Sequence, residues 1–88
     1  MKVEVQKSFE KDIRKISNKK LAQQVNEVIN ELENCSSIAE IRNLKKMKAK
    51  GSYYRIRIGN HRLGFKEEQG ILILLRLMDR KDIYKYFP

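Results

Sequence analysis

The sequence predicts an α+β fold, with a helical hairpin packed on one face of a mainly antiparallel, twisted sheet of four or five strands. Three observations point to it. Two stretches in the first half repeat apolar residues at helical spacing. The second half alternates apolar and polar residues or runs continuously apolar, as strands do. Between two alternating runs stands Gly59-Asn60, a two-residue loop of the kind that closes a β-hairpin. Eighty-eight residues suffice for one modest core and not for two, so residues 1–88 are read as a single domain.

Lys2 to Gln6 alternates, with Val3 and Val5 on one face, and reads as a short strand. Ser8 is placed to cap a helix near 8–16, in which Phe9, Ile13 and Ile16 recur. Asn18 is placed to cap a second helix near 18–34. Its stripe is Leu21, Val25, Val28, Ile29 and Leu32, with Lys20, Gln24, Glu27 and Glu31 opposite. Ser37-Ile38-Ala39-Glu40 fits a capping box and implies a helical turn through Ile41 or Arg42. Leu44 and Met47 are expected core contacts. Lys45, Lys46, Lys48 and Lys50 surround them, and this cluster suits either a solvated linker or a phosphate-backbone contact. Gly51-Ser52 breaks the segment.

A Gly59-Asn60 loop of type II′ sets the register of the next two strands: Ile58 faces His61, Arg57 faces Arg62, Ile56 faces Leu63, Arg55 faces Gly64 and Tyr54 faces Phe65. Because side chains alternate, Tyr54, Ile56, Ile58, Leu63 and Phe65 form a core face, which also takes His61 near the turn. Arg55, Arg57 and Arg62 share the other face. Like charges directly across a strand pair destabilise it, so this face has an anion to receive. Gly70 suits a type I turn with a G1 bulge, after which Ile71 to Met78 is apolar on both faces and reads as a central strand. That bulge would set Arg76 opposite Arg62, giving a row of Arg57, Arg62 and Arg76 across three strands. Ile83 to Pro88 is expected to close the chain as a strand or turn. The expected core is Leu21, Val25, Val28, Leu32, Ile56, Leu63, Phe65, Ile73 and Leu75.

Twenty Lys and Arg against 11 Asp and Glu give a net charge of +9, which favours a polyanionic partner: nucleic acid, an anionic membrane or an acidic protein. No apolar run approaches the roughly 18 residues of a membrane span, and Met1-Lys2-Val3-Glu4-Val5 lacks the apolar core of a signal peptide. A cytoplasmic location is expected. Cys35, alone at the end of a helical pattern, reads as a partly buried thiol. No Gly-rich phosphate loop, metal-ligand spacing or cofactor motif is found, and one histidine cannot share acid and base roles with a second. Arginines and tyrosines on a sheet remain. Such a surface grips phosphates bidentately, stacks on bases and stabilises charge growing on a phosphorane-like transition state.

The order strand, two helices, antiparallel sheet resembles the RelE/ParE toxin family of toxin–antitoxin systems over nearly the whole chain. The most specific stretches are Lys45-Lys46-Met47 before a glycine, Tyr54-Arg55-Ile56-Arg57-Ile58-Gly59-Asn60-His61-Arg62, and Arg80-Lys81-Asp82-Ile83-Tyr84-Lys85-Tyr86-Phe87-Pro88. The resemblance implies a ribosome-dependent, metal-independent endoribonuclease without cofactor that cuts mRNA through the messenger's own 2′-hydroxyl. A gyrase-poisoning toxin of ParE type and a catalytically weakened RNA- or antitoxin-binding relative are the alternatives. It also implies an acidic antitoxin as partner in a hetero-oligomer. By the same resemblance, Arg55 and Arg57 correspond to the basic pair on the first strand of the hairpin, and Arg62 to a transition-state stabiliser. Arg80 corresponds to the arginine at the scissile phosphate or leaving group, and Tyr84 to a tyrosine that orients or stacks on the substrate. Arg57, Arg62, Arg80 and Tyr84 are thus the catalytic candidates, and Arg55, Lys45, Lys46, Lys48 and Arg76 the RNA-binding ones. Two positions depart from the family pattern: His61, where many relatives have tyrosine, and Asp79, where many have histidine. A lone aspartate with a pKa of about 3.9 is a weak base, so Asp79 is expected to pair with Arg80 or Lys81.

Overall fold

The computed structural model describes residues 1–48 and 51–88; Lys50, the last member of the lysine cluster, lies outside the described residues. The elements are β1 (Lys2–Val5), α1 (Lys7–Arg14), α2 (Lys19–Asn34), a 3-10 turn (Ile38–Glu40), β2 (Leu44–Lys46), β3 (Tyr53–Ile58), β4 (His61–Glu68), β5 (Ile71–Asp79) and α3 (Arg80–Tyr86). The strands form one sheet in the order β1-β5-β4-β3-β2. Only β1–β5 is parallel; the other pairs are antiparallel. The α+β expectation holds, and the lysine-rich segment supplies the edge strand β2.

The Asn18 carboxamide caps α2, accepting from Lys20 N at 2.9 Å and Leu21 N at 3.2 Å. Leu21, Val25 and Leu32 are buried against Phe9, Ile56, Ile58, Leu63, Phe65, Leu72, Leu74 and Leu77, with Val28 and Ile29 half-buried at the margin. Each fully buried leucine contributes about 1.5–3 kcal/mol. Cys35 ends α2 as a buried thiol, its Sγ donating to the Leu32 carbonyl at 3.2 Å. Ser37 accepts from Ala39 N, but Glu40 turns to the Ser36 hydroxyl instead of closing the expected capping box.

Ser8 does not cap α1. The N-cap is Gln6, without a side-chain bond, and the Ser8 hydroxyl donates to the Leu75 carbonyl at 2.6 Å. The reason is the edge of β5. Strand β1 pairs with β5 only as far as Leu74, leaving the rest of that edge without a strand. Backbone polar groups there need partners. Ser8 satisfies Leu75 O, and Asp12, one helical turn later, accepts from Leu77 N at 2.9 Å. Helix α1 thus continues the ladder with side chains.

The first hairpin has the expected register at every pair from Tyr54–Phe65 to Ile58–His61. Gly59 has φ +59° and Asn60 is not in the positive-φ region, as a type II′ turn requires. The second hairpin differs. Gln69 (φ +50°) and Gly70 (φ +79°) are both left-handed, which makes a two-residue type I′ turn with Glu68 opposite Ile71. The irregularity lies instead in mid-strand: Phe65 pairs with Leu74 and Gly64 with Arg76, leaving Leu75 as the extra residue. Leu75 is accordingly half-buried and not a core residue. Arg76 faces Gly64, and it is Met78 that faces Arg62, so the three-strand arginine row does not form.

The C-terminal segment is a helix, not a strand or turn. Asp79 caps α3 by accepting from Lys81 N at 2.9 Å, so its carboxylate is bound to backbone and forms no ion pair with Arg80 or Lys81. Ile83 and Phe87 are buried. The Phe87 ring rests on Gly64, where a Cβ would lie 2.8 Å from it, and Tyr53 meets that ring edge-on at 5.8 Å. Gly64 alternates with Leu63 and Phe65 and therefore belongs to the face that carries Arg62. Helices α1 and α2 cover one face of the sheet; α3 covers part of the other and leaves the rest open.

Candidate nucleic-acid interface

The open part of that face is built by register. Pairing of β2 with β3 sets Lys45 opposite Arg55, and pairing of β3 with β4 sets Arg57 opposite Arg62. Lys45, Arg55, Arg57, Arg62 and Tyr84, with Asn43 and Leu44, line a cleft of about 320 Å³. Five of the residues singled out in the sequence therefore meet in one place.

Each cation is held differently. The Arg62 Nη1 donates to the carbonyls of Gly59 at 3.0 Å and His61 at 2.9 Å, which fixes the guanidinium against its own turn. Burial, and then the charges of Arg55, Arg57 and Arg80, hold its pKa below the ordinary arginine value, with Asp79 opposing. Arg57 is anchored through Asn43, whose carbonyl accepts from Arg57 N at 3.1 Å and whose Oδ1 lies 3.4 Å from Nη2. The Arg55 guanidinium lies over the Tyr84 ring, 4.6 Å from its centroid. Among the described residues, no Asp or Glu pairs with Arg55, Arg57, Arg62 or Arg80; the ion pairs are Lys2–Glu4, Arg14–Glu10, Lys66–Glu68 and Arg76–Asp12. Uncompensated cations around a cleft form a receptor for phosphate.

Arg80 is exposed at the first turn of α3, with its backbone N donating to Asn60 O at 2.9 Å. It acts electrostatically on Arg62 from outside the cleft lining. Lys46 and Lys48 line a second groove beyond the Arg55–Tyr84 stack. Arg76 is a correction: Nε and Nη2 donate to the Asp12 carboxylate at 2.8 and 3.2 Å, and the side chain does not line the arginine cleft. His61 lies away from the cleft too, in a depression with Asp12, Leu21, Arg76 and Asp82. Sequence reasoning missed Asn43. The residue type alone gave a faint signal, since Asn tolerates the positive φ of +61° found there better than most residues. It also missed Gly64 and Phe87, which seat the helix that carries Tyr84. Among the described residues, no group of three His, Cys, Asp or Glu is placed to hold a metal ion. No helix among them is long and apolar enough to cross a membrane.

Three comparisons agree with this architecture. A family model described as the ParE toxin of the type II toxin–antitoxin system, parDE, matches residues 3–84. Toxin RelE3 of Methanocaldococcus jannaschii is 36% identical over 89 residues, covering 100% of both chains. Among solved structures, a chain of the RelB–RelE antitoxin–toxin complex from Methanococcus jannaschii superposes with a TM-score of 0.82 at 33% identity, over 97% of this chain and 99% of that one. The archaeal RelE–RelB complex from Pyrococcus horikoshii contains a chain that superposes at 0.72 and 22% identity, covering 90% and 93%; that likeness concerns the fold alone.

Proposed function

The chain belongs to the RelE/ParE family of toxins of type II toxin–antitoxin systems, and from that premise we propose that it is an endoribonuclease of RelE type that cuts ribosome-bound mRNA. The observation that carries this reading is the set of Arg55, Arg57 and Arg62 around one cleft, with no carboxylate among the described residues to neutralise them.

The chemistry follows from charge. As the 2′-hydroxyl attacks the adjacent phosphate, negative charge grows on the phosphate oxygens. Guanidinium groups already fixed in place gain most strength at that stage. Arg62, held by two carbonyls and crowded by like charges, is the cation whose surroundings improve most when an anion arrives. Arg57 supplies a second fork from the facing strand, and Arg80 adds positive potential from the start of α3. Tyr84 offers an aromatic face to the substrate.

An acidic antitoxin is the expected protein partner, in a toxin–antitoxin hetero-oligomer. The net charge of +9 and the solved RelB–RelE complexes of the relatives support it. The ParE description of the matching family model favours a second reading, inhibition of DNA gyrase. Induced expression separates the two. Messenger cut within codons at the ribosomal A site supports the nuclease. Trapped gyrase–DNA breaks with intact messenger support the second reading.

A further inference from the structure

The Arg55–Tyr84 stack is a partition. On one side lies the arginine cleft; on the other lies a larger basic groove of about 630 Å³, lined by Lys45, Lys46, Lys48 and Lys85 together with Phe87. Lys45, Arg55 and Tyr84 line both spaces, so the two are contiguous. Within the partition, Arg55 Nη1 is buried and has no hydrogen-bond partner among the described residues. A buried donor without a partner is unfavourable, and an anionic oxygen admitted beside it would satisfy it. Tyr84 is 63% exposed despite the guanidinium over its ring.

We propose that the lysine groove is a flanking-phosphate subsite for single-stranded RNA: it holds a phosphate neighbouring the one in the arginine cleft, with the strand crossing the Arg55–Tyr84 partition. The inference deepens the endoribonuclease reading and rests on it. Lysines are point charges on flexible stems that follow a backbone without reading bases, so the subsite is sequence-tolerant. The exposed Tyr84 ring suits a splayed, unpaired base and not a base locked in a duplex. Binding energy gained at the flanking phosphate holds the reacting phosphate in place.

The test is equilibrium binding of 2′-O-methyl oligonucleotides, which cannot be cleaved, to the whole protein at several salt concentrations. A dinucleotide with one phosphate is compared with a trinucleotide and a pentanucleotide. The longer strands should bind about tenfold or more tightly, with the salt slope steepening by about 0.7 per added phosphate. In Lys46→Ala/Lys48→Ala/Lys85→Ala, three exposed positions, that increment should vanish, so that affinities for long and short strands converge. A length increment that survives in the triple variant overturns the proposal, as does a duplex that binds as tightly as the single strand. Wild-type binding that is independent of length overturns the subsite alone. Absence of binding to every oligonucleotide overturns the subsite, while the endoribonuclease reading stands or falls on cleavage of messenger at the ribosomal A site.

Discussion

Arg62 and Arg76 stand on adjacent strands and have opposite surroundings. Arg76 bonds to both carboxylate oxygens of Asp12, which also accepts Leu77 N. The hydrogen bond to Asp12 holds the Arg76 pKa above its ordinary value, with burial opposing. Arg62 has only carbonyl partners and three like-charged neighbours, and its pKa is lowered. One region uses an arginine to tie a helix to a sheet edge. The other keeps arginines together at a cost in stability, as a site that binds an anion does. The sign of the linkage agrees. A cation whose folded pKa is depressed opposes folding while it is charged, and that opposition fades only as pH rises through the depressed value, in a strongly alkaline range. At working pH the lever that relieves Arg62 is therefore anion binding.

The largest effect should come from deleting the unpaired cation. Arg62→Ala should slow single-turnover cleavage of A-site mRNA on ribosomes by about 10²–10³-fold, as loss of one oxyanion donor does. Its melting temperature should be unchanged or higher, because two facing positive charges become one. Arg62→Lys keeps the charge without the planar fork and should recover only part of the rate. Wild-type rates in a well-folded Arg62→Ala protein would place the chemistry elsewhere.

The paired region should respond the other way. Asp12→Ala strands Arg76 and the Leu77 N–H together, and should lower stability in urea unfolding by about 1–3 kcal/mol. Adding Arg76→Met should restore part of the loss, since a removed ion pair costs less than a broken one. If Asp12→Ala melts like the wild type, the two arginines differ less than their geometry implies. Gly64→Ala probes the link between fold and cleft. The new Cβ has no room beside Phe87, so α3 must shift. Overpacking of this kind costs about 1–3 kcal/mol, and cleavage should fall with it because Tyr84 rides on that helix.

The same contrast explains what was legible in the sequence. The arginine cleft was readable because Gly59-Asn60 is a local signal: a two-residue loop dictates every pair that follows, including Arg57 opposite Arg62. The place of Arg76 was not readable, because it depends on events far apart in the chain. Gln69 is not a customary left-handed residue, so the type I′ turn carried no mark. The bulge at Leu75 sits beside Gly64, which is kept clear for Phe87, more than twenty residues on. Ser8 looked like a cap because its sequence neighbours are helical, yet β5 offered its hydroxyl a better partner. Helix α3 has only Ile83 fully buried, too little apolar pattern in seven residues to declare a period.

The smallest predicted effect is the closest test of the comparison, because it turns one kind of arginine into the other. Asn43 Oδ1 lies 3.4 Å from Arg57 Nη2, with the backbone at φ +61°. Aspartate has the same shape and also tolerates that conformation. Asn43→Asp therefore gives Arg57 what Arg76 already has, a carboxylate partner, without moving the chain. The pair would be exposed, as Arg57 is, so it should add only about 0.2–1 kcal/mol to stability. The new negative charge also lines the cleft in which, on the proposed reading, phosphate gathers charge. Opposition on the order of 1 kcal/mol at the transition state should slow cleavage by roughly 3–10-fold. Urea unfolding and single-turnover cleavage on the same protein decide it. A slightly stabler and slower variant means that Arg57 is kept unpaired for phosphate. A variant that is stabler and equally fast would show that Arg57's free charge serves neither binding nor the reaction.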